Sequence, residues 1–184
     1  AAIKDASGRI IGAIEVFRDI SAEEKHAALQ EKFEKLIRQY VSKTTYESVL
    51  DAASKDVAPR AATKDLTVLF LDVVAFTSLV EKHPVGRIVE MLNQLFSLCT
   101  HVIQGHSGDV DKFIGDCVMA VFVDAQDAVN AARDMLDQAM PALNKALSPK
   151  GLPEVKVRIG INSGRLIQGD IGSSERKDMT VIGD

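Results

Sequence analysis

The chain has 184 residues, a net charge of −4, 46% hydrophobic residues, 5% aromatic residues and no Trp. That length suits one full domain with an appendage, or one domain that has been cut, and the composition suits an α/β core built from Leu, Ile, Val and Ala. The acidic balance leaves no basic footprint for nucleic acid, and no run approaches the ~18 apolar residues of a membrane span, so this segment is expected to lie in the cytoplasm without membrane contact.

In chain order, residues 1–20 read as a hairpin: AAIKD, a turn at Ala6-Ser7-Gly8, then RIIGAIEVFRDI with period-two alternation. A lone hairpin does not stay folded in water, so its partner strands are expected upstream, in keeping with a chain that opens on Ala rather than Met. The string DASGRIIGAIEVFRDISAEEK resembles the closing segment of a PAS sensor domain, which implies that residues 1–20 are a PAS C-terminal hairpin and that a signalling helix follows. Ser21 and Glu24 form a capping box that starts this helix. Leu29, Phe33, Leu36 and Tyr40 are spaced four, three and four apart, the seam of a short parallel coiled coil; an ordinary amphipathic helix has the same spacing, and both readings stay open. A polar break at Ser42–Thr45 precedes a second helical stretch, TYESVLDAA, and SKDVAPRAATK over 54–64 reads as a connector. Residues 21–64 are thus a helical linker.

From residue 65 onward the pattern is regular. Leu66–Val73 is a buried strand. Pro84 opens a helix whose stripe is Val85, Ile88, Val89, Leu92, Leu95, Phe96, Cys99, Val102 and Ile103, ended by Gly105 and Gly108. A hairpin follows, Asp109–Ile114 and Cys117–Phe122, turning at Gly115-Asp116. Asp124 caps a third helix with a stripe through Ala128, Val129, Ala132, Leu136 and Leu143, which Pro141 should kink or shorten. Val155–Ile161 and Arg165–Ile171 read as the last two strands. The order βαββαβ predicts an α+β, ferredoxin-like domain over 65–184. Cys99 and Cys117 lie in apolar runs without metal-ligand spacing, which predicts buried, reduced thiols.

Asp72 in LFLDVVAFT and Asp116 in DKFIGDCVMAVF carry the chemistry. An acid in an apolar run is costly without a compensating partner, and two carboxylates sharing a site at about 4 Å repel by roughly 4 kcal/mol at an effective dielectric of 20. A divalent cation reverses that sign, and two such ions on a nucleoside triphosphate suit phosphoryl chemistry. Either aspartate as a plain cap of a helix or turn, Asp116 above all, is the competing reading.

The blocks LTVLFLDVVAFTSLVEK, GDVDKFIGDCVMAVF, KVRIGINSGRLIQGDIGSSER and TVIGD, in this order, resemble the class III nucleotidyl cyclase catalytic domain in its bacterial adenylate cyclase form. The resemblance implies a homodimer with shared active sites and conversion of ATP to 3′,5′-cyclic AMP and pyrophosphate. By position it implies Asp72, Asp116 and the Val73 carbonyl as ligands of two Mg²⁺ or Mn²⁺ ions. Val74, Ala75, Phe76 and Thr77 would open a helix whose amides meet the triphosphate, with Phe76 packing at the edge. Arg158 matches a phosphate-contacting position, although a solvated strand arginine reads the same way. Lys112 matches the base-selecting position: an ammonium only donates, which suits the N1 acceptor of adenine. Thr180 matches the second selecting position, facing the N6 amine, and an exposed strand lysine is the plain alternative for Lys112.

Two departures stand out. Ala75 occupies a position where the family usually has Gly. The sequence ends at Asp184, before the helix that in the family supplies an Asn and an Arg to the transition state, so the cyclase domain reads as truncated and this piece is expected to be inactive or nearly so. The competing function is a catalytically silent, cyclase-like nucleotide-binding or dimerisation module in signal transduction.

Overall fold

The computed structural model describes residues 2–13, 21–57 and 61–183. The chain divides into a unit of residues 1–37 and a unit of residues 38–184.

In the first unit, β1 (Ala2–Lys4) pairs antiparallel with β2 (Ile10–Ala13). The turn is held by Asp5, whose Oδ1 accepts from the Ser7 and Arg9 amides at 2.9 and 3.0 Å, with Gly8 at φ +83°. The expected second strand beyond Ala13 lies outside the described residues. Helix α1 (Ser21–Tyr40) begins at the expected capping residue. The seam residues Leu29, Phe33, Leu36 and Tyr40 are each more than half exposed.

In the second unit, Ser42 caps α2 (Lys43–Ser54), its hydroxyl oxygen accepting from the Thr45 amide at 3.1 Å. The start of α2 is tied to the sheet by Asp109, whose carboxylate accepts from the Thr44 amide at 2.8 Å and the Thr44 hydroxyl at 2.6 Å. Strand β3 (Ala62–Val73) begins four residues before the expected Leu66. Its first residues are exposed and polar, which disguised them as connector, but they pair with Arg165–Gln168.

Two helices follow, α3 (Phe76–Lys82) and α4 (Val85–Gly105). The buried stripe of α4 is Ile88, Met91, Leu95, Cys99 and Ile103; Val85 and Val89, expected inside, are at least half exposed, and Met91 takes the place on the core side. Strands β4 (Asp109–Ile114) and β5 (Cys117–Phe122) form the expected hairpin around Gly115 at φ +64°. Asp124 caps α5 (Ala125–Asp134), accepting from the Gln126 amide at 2.8 Å. Pro141 does not break this helix: a π-helical turn at Met135–Ala139 absorbs it and the chain runs on into α6 (Met140–Leu147). The buried positions shift to Ala131, Met135 and Met140, leaving Val129 and Leu136 nearly half exposed.

The last two expected strands are one. β6 (Val157–Gly172) passes straight through Asn162-Ser163-Gly164, a turn-like triplet, because each of these residues is paired with β3 at Leu66–Val68. β7 (Lys177–Ile182) returns along β6. The sheet order is β4-β5-β3-β6-β7, the mixed α+β, ferredoxin-like arrangement expected.

Alternation on β3 decides which face is core. Leu69, Leu71 and Val73 pack with α4, α5 and α6, joined by Val118, Ala120 and Phe122 of β5. Val68, Phe70 and Asp72 occupy the opposite face, where Phe70 is 44% exposed and lines a groove with Met119, Asn162 and Val181. Cys99 is buried and its thiol is pushed up to about 12 by burial. Cys117, expected buried as well, is only half-buried, because it sits beside the acidic turn rather than in the core; both cysteines are free.

The turn from α4 to β4 leaves no space at Gly108, where a Cβ would come within 2.6 Å of Phe122 Cζ and 2.8 Å of Ile103 Cγ2. Gly108→Ala should therefore destabilise the fold by about 1–3 kcal/mol, read as a lower urea midpoint; an unchanged midpoint would contradict this packing.

Candidate active site

Asp72 is the penultimate residue of β3 and lies directly opposite Arg158 in the β3–β6 ladder. Paired residues of neighbouring strands share a face, so the guanidinium reaches the carboxylate: Arg158 Nε and Nη2 donate to Asp72 Oδ2 at 2.8 and 2.5 Å. Arg158 holds the Asp72 carboxyl below the usual carboxylate range. On β3's other side, β5 brings in the β4–β5 turn, and Asp116 in that turn lies close enough to Asp72 for the two carboxyl groups to shift each other's titration. Burial pushes the Asp116 carboxyl up, and the neighbouring Asp72 charge adds to the rise. Asp72 is therefore the stronger acid of the pair. The Val73 backbone lowers both carboxyl groups slightly. The Cys117 thiol is also pushed up, by burial and then by the two adjacent acids.

The donor set is small. Among the described residues no group of three or more His, Cys, Asp and Glu converges. Two hard carboxylates next to a main-chain turn are what a Mg²⁺-type ion uses when substrate phosphates complete its shell, so the residues present fit such an ion.

The segment after Asp72 turns sharply. The Val74 amide donates to the Lys156 carbonyl at 2.8 Å, and Ala75 takes the left-handed conformation at φ 55°, ψ 36° ahead of α3. Here the departure from Gly has a cost, since a Cβ in that region is disfavoured by about 1–2 kcal/mol. Val74, Ala75 and Thr77 are exposed, while Phe76 packs against the core.

Lys112 and Thr180 lie on the two outermost strands, which in a flat five-stranded sheet would stand about 19 Å apart. They are nevertheless in one cluster, so the sheet curls until its edges meet. Lys112 Nζ pairs with Asp178 of β7 and lies 3.6 Å from Asp111 Oδ2, and the Thr180 hydroxyl donates to Asp111 Oδ2 at 3.4 Å. Asp111 and Asp178 were not singled out by sequence. The strand pattern gives no hint that β4 and β7 touch, and the one local signal, a second acid beside Lys112, is common on any exposed strand.

The structure thus forms two clusters, one with Asp72, Asp116 and Arg158 and one with Lys112, Thr180, Asp111 and Asp178. Residues 59–184 match the family described as the adenylate and guanylate cyclase catalytic domain. The chain belongs to that family. The chain is 32% identical over 176 residues to an adenylate cyclase of Anabaena cylindrica, covering 89% of this chain and 35% of that protein. It is similar to the structure of a bacterial light-regulated adenylyl cyclase, with a TM-score of 0.77 and 26% identity over 92% of this chain and half of that one. The guanylyl cyclase Cya2 aligns at 31% identity and a TM-score of 0.62, covering 67% of this chain and 66% of that one. Relatives of both base specificities are therefore represented, and the chain spans about a third of the length of its Anabaena relative.

Ala75→Gly should stabilise the cyclase domain by about 0.5–1 kcal/mol by removing the left-handed strain, net of the added unfolded-state entropy. Equilibrium denaturation reads this directly, and a loss of stability would contradict the assigned strain.

Proposed function

We propose that the full-length protein is an adenylate cyclase, forming 3′,5′-cyclic AMP from ATP as a homodimer regulated by an upstream sensor. The reading rests on one observation above the others: the β3–β5 and β4–β5 pairings bring Asp72 and Asp116 near enough for each carboxyl group to shift the other's titration, and two acids kept close despite their repulsion are an arrangement a divalent ion rewards.

In the reaction the ribose 3′-oxygen forms a bond to the α-phosphorus, the bond from that phosphorus to the bridging oxygen breaks, pyrophosphate leaves, and the hydroxyl proton is released. Asp72 and Asp116, with the Val73 carbonyl, would hold two Mg²⁺ or Mn²⁺ ions. When bound, such ions supply Lewis-acid polarisation of phosphate oxygens and a lower pKa for the attacking hydroxyl. Of the turn Val74–Thr77, the amides from Ala75 to Thr77 would meet the triphosphate, since the Val74 amide, expected among them, is held by the Lys156 carbonyl. Arg158 serves as a phosphate ligand, a role for which it must share or leave the Asp72 oxygen it now bonds.

Base recognition falls to Lys112 and Thr180. Lys112 donates to adenine N1 and Thr180 accepts from the N6 amine, and their meeting in one cluster supports a joint role. The uncovered sheet face carrying Phe70 supports a second copy as the partner that completes each site. Residues 1–20 as the end of a PAS domain and 21–64 as a signalling helix and connector supply the regulatory input, with the exposed α1 seam in favour of a paired helix. No described helix is long and apolar enough to cross a membrane, and a cytoplasmic site would give access to ATP and Mg²⁺.

The test is turnover of the full-length protein with Mg²⁺ or Mn²⁺. Wild type should form cyclic AMP, and Asp72→Ala with Asp116→Ala should lower kcat by about 10²-fold or more. Lys112→Glu should lower the preference for ATP over GTP by about tenfold or more. Retained cyclic AMP formation in the double variant would remove the metal role, and an unchanged preference would remove Lys112 from base selection.

A further inference from the structure

Resting on the base-reading assignment of Lys112 and Thr180, a further question is what makes Thr180 selective at all. A threonine hydroxyl has one donor and two acceptor lone pairs. Left to rotate, it accepts from the N6 amine of adenine or donates to the O6 of guanine equally well. It discriminates only if something else holds its proton.

Asp111 is placed to do so. The β4–β5 ladder pairs Val110 with Ala120 and then Lys112 with Met119, leaving Asp111 as the extra residue of a β-bulge. A bulge re-aims the side chain it carries, and here the carboxyl group turns inward until its side chain is only 7% exposed, against 24% for Lys112. The partners around it are few. The Thr180 hydroxyl donates to Oδ2 at 3.4 Å, and the Lys112 ammonium stands 3.6 Å away with its other contact on Asp178. Burial and the Asp178 charge push the Asp111 carboxyl up, while Lys112 and the Thr180 bond work against that rise. Lys112 spends one donor on Asp178 and stands 3.6 Å from Asp111 as an ion pair, which leaves donor capacity for a base nitrogen.

We propose that Asp111 is a specificity-positioning residue that accepts the hydrogen bond of the Thr180 hydroxyl, fixing Thr180 Oγ1 as an acceptor toward the base edge, and so favours adenine over guanine. It touches no reacting atom; it acts through Thr180 and, secondarily, by aiming Lys112.

The experiment compares kcat/KM for ATP and GTP in the full-length protein. Asp111→Ala frees the hydroxyl and should lower the ATP to GTP ratio about tenfold, the value of one oriented hydrogen bond. Asp111→Asn keeps an acceptor oxygen and should hold the ratio within about twofold. Should the alanine variant not fold, Asp111→Leu, similar in size and without an acceptor, carries the same expectation of a fall. The decisive comparison is made in a Thr180→Val background, where there is no hydroxyl to orient: there Asp111→Ala should move the ratio by less than about twofold. A general structural role would lower activity on both nucleotides and leave the ratio alone. The proposal is overturned if Thr180→Val shifts the ratio but Asp111→Ala does not, or if Asp111→Ala shifts it equally with and without the Thr180 hydroxyl. Failure of the underlying assignment looks different: Lys112→Glu and Thr180→Val would then both leave the ratio unmoved, and the role of Asp111 would fall with them.

Discussion

All twelve residues of β3 are paired with β6, and this ladder is the constraint on which the site depends. It sets Asp72 opposite Arg158 on the uncovered face, while Leu71 and Val73, one residue to either side, are locked into the core. A slip of one residue would bury the acid and expose the leucine, which costs far more than the ladder could absorb. The pairing of β3 with β5 then fixes where the β4–β5 turn ends, and with it Asp116. The acid pair is thus held by core packing on one side and backbone pairing on two, so its repulsion does not relax by moving apart.

The two clusters are built by different means. Asp72, Asp116 and Arg158 meet through neighbouring strands, a local consequence of register. Lys112, Asp111, Asp178 and Thr180 meet only because the sheet curls enough for its outermost strands to touch. The first arrangement is set by backbone register. The second depends on the path of the long β6–β7 hairpin and on the bulge in β4, and β4 is also the strand that anchors α2 through Asp109. The start of the linker helix and the lysine cluster are therefore supported by the same strand, three residues apart.

Much of this was legible in the sequence. The acids at 72 and 116 stand out because their neighbours are apolar, the helix of 85–105 because its period is clean, and the helix after Asp124 because the cap precedes it. What was hidden shares one cause, long-range pairing overriding local signals. Asn162-Ser163-Gly164 has turn chemistry, yet partners on β3 keep it extended. Pro141 has breaker chemistry, yet buried Met135, Met140 and Leu143 hold the helix together through a π turn. Polar Ala62–Asp65 resembles a linker until Arg165–Gln168 lies beside it. Asp111 and Asp178 belong to a contact between sheet edges, which no periodicity along either strand encodes.

The central claim, that Asp72 and Asp116 jointly hold divalent cations, is most directly tested by anomalous diffraction from Mn²⁺-soaked crystals of the full-length protein bound to a non-cyclisable ATP analogue. The account predicts anomalous peaks in direct coordination, about 2 Å from oxygens of both carboxylates, with Arg158 drawn off Asp72 or sharing it with the nucleotide phosphates. Peaks confined to other positions, with both carboxylates uncoordinated and Arg158 still paired to Asp72, would contradict it.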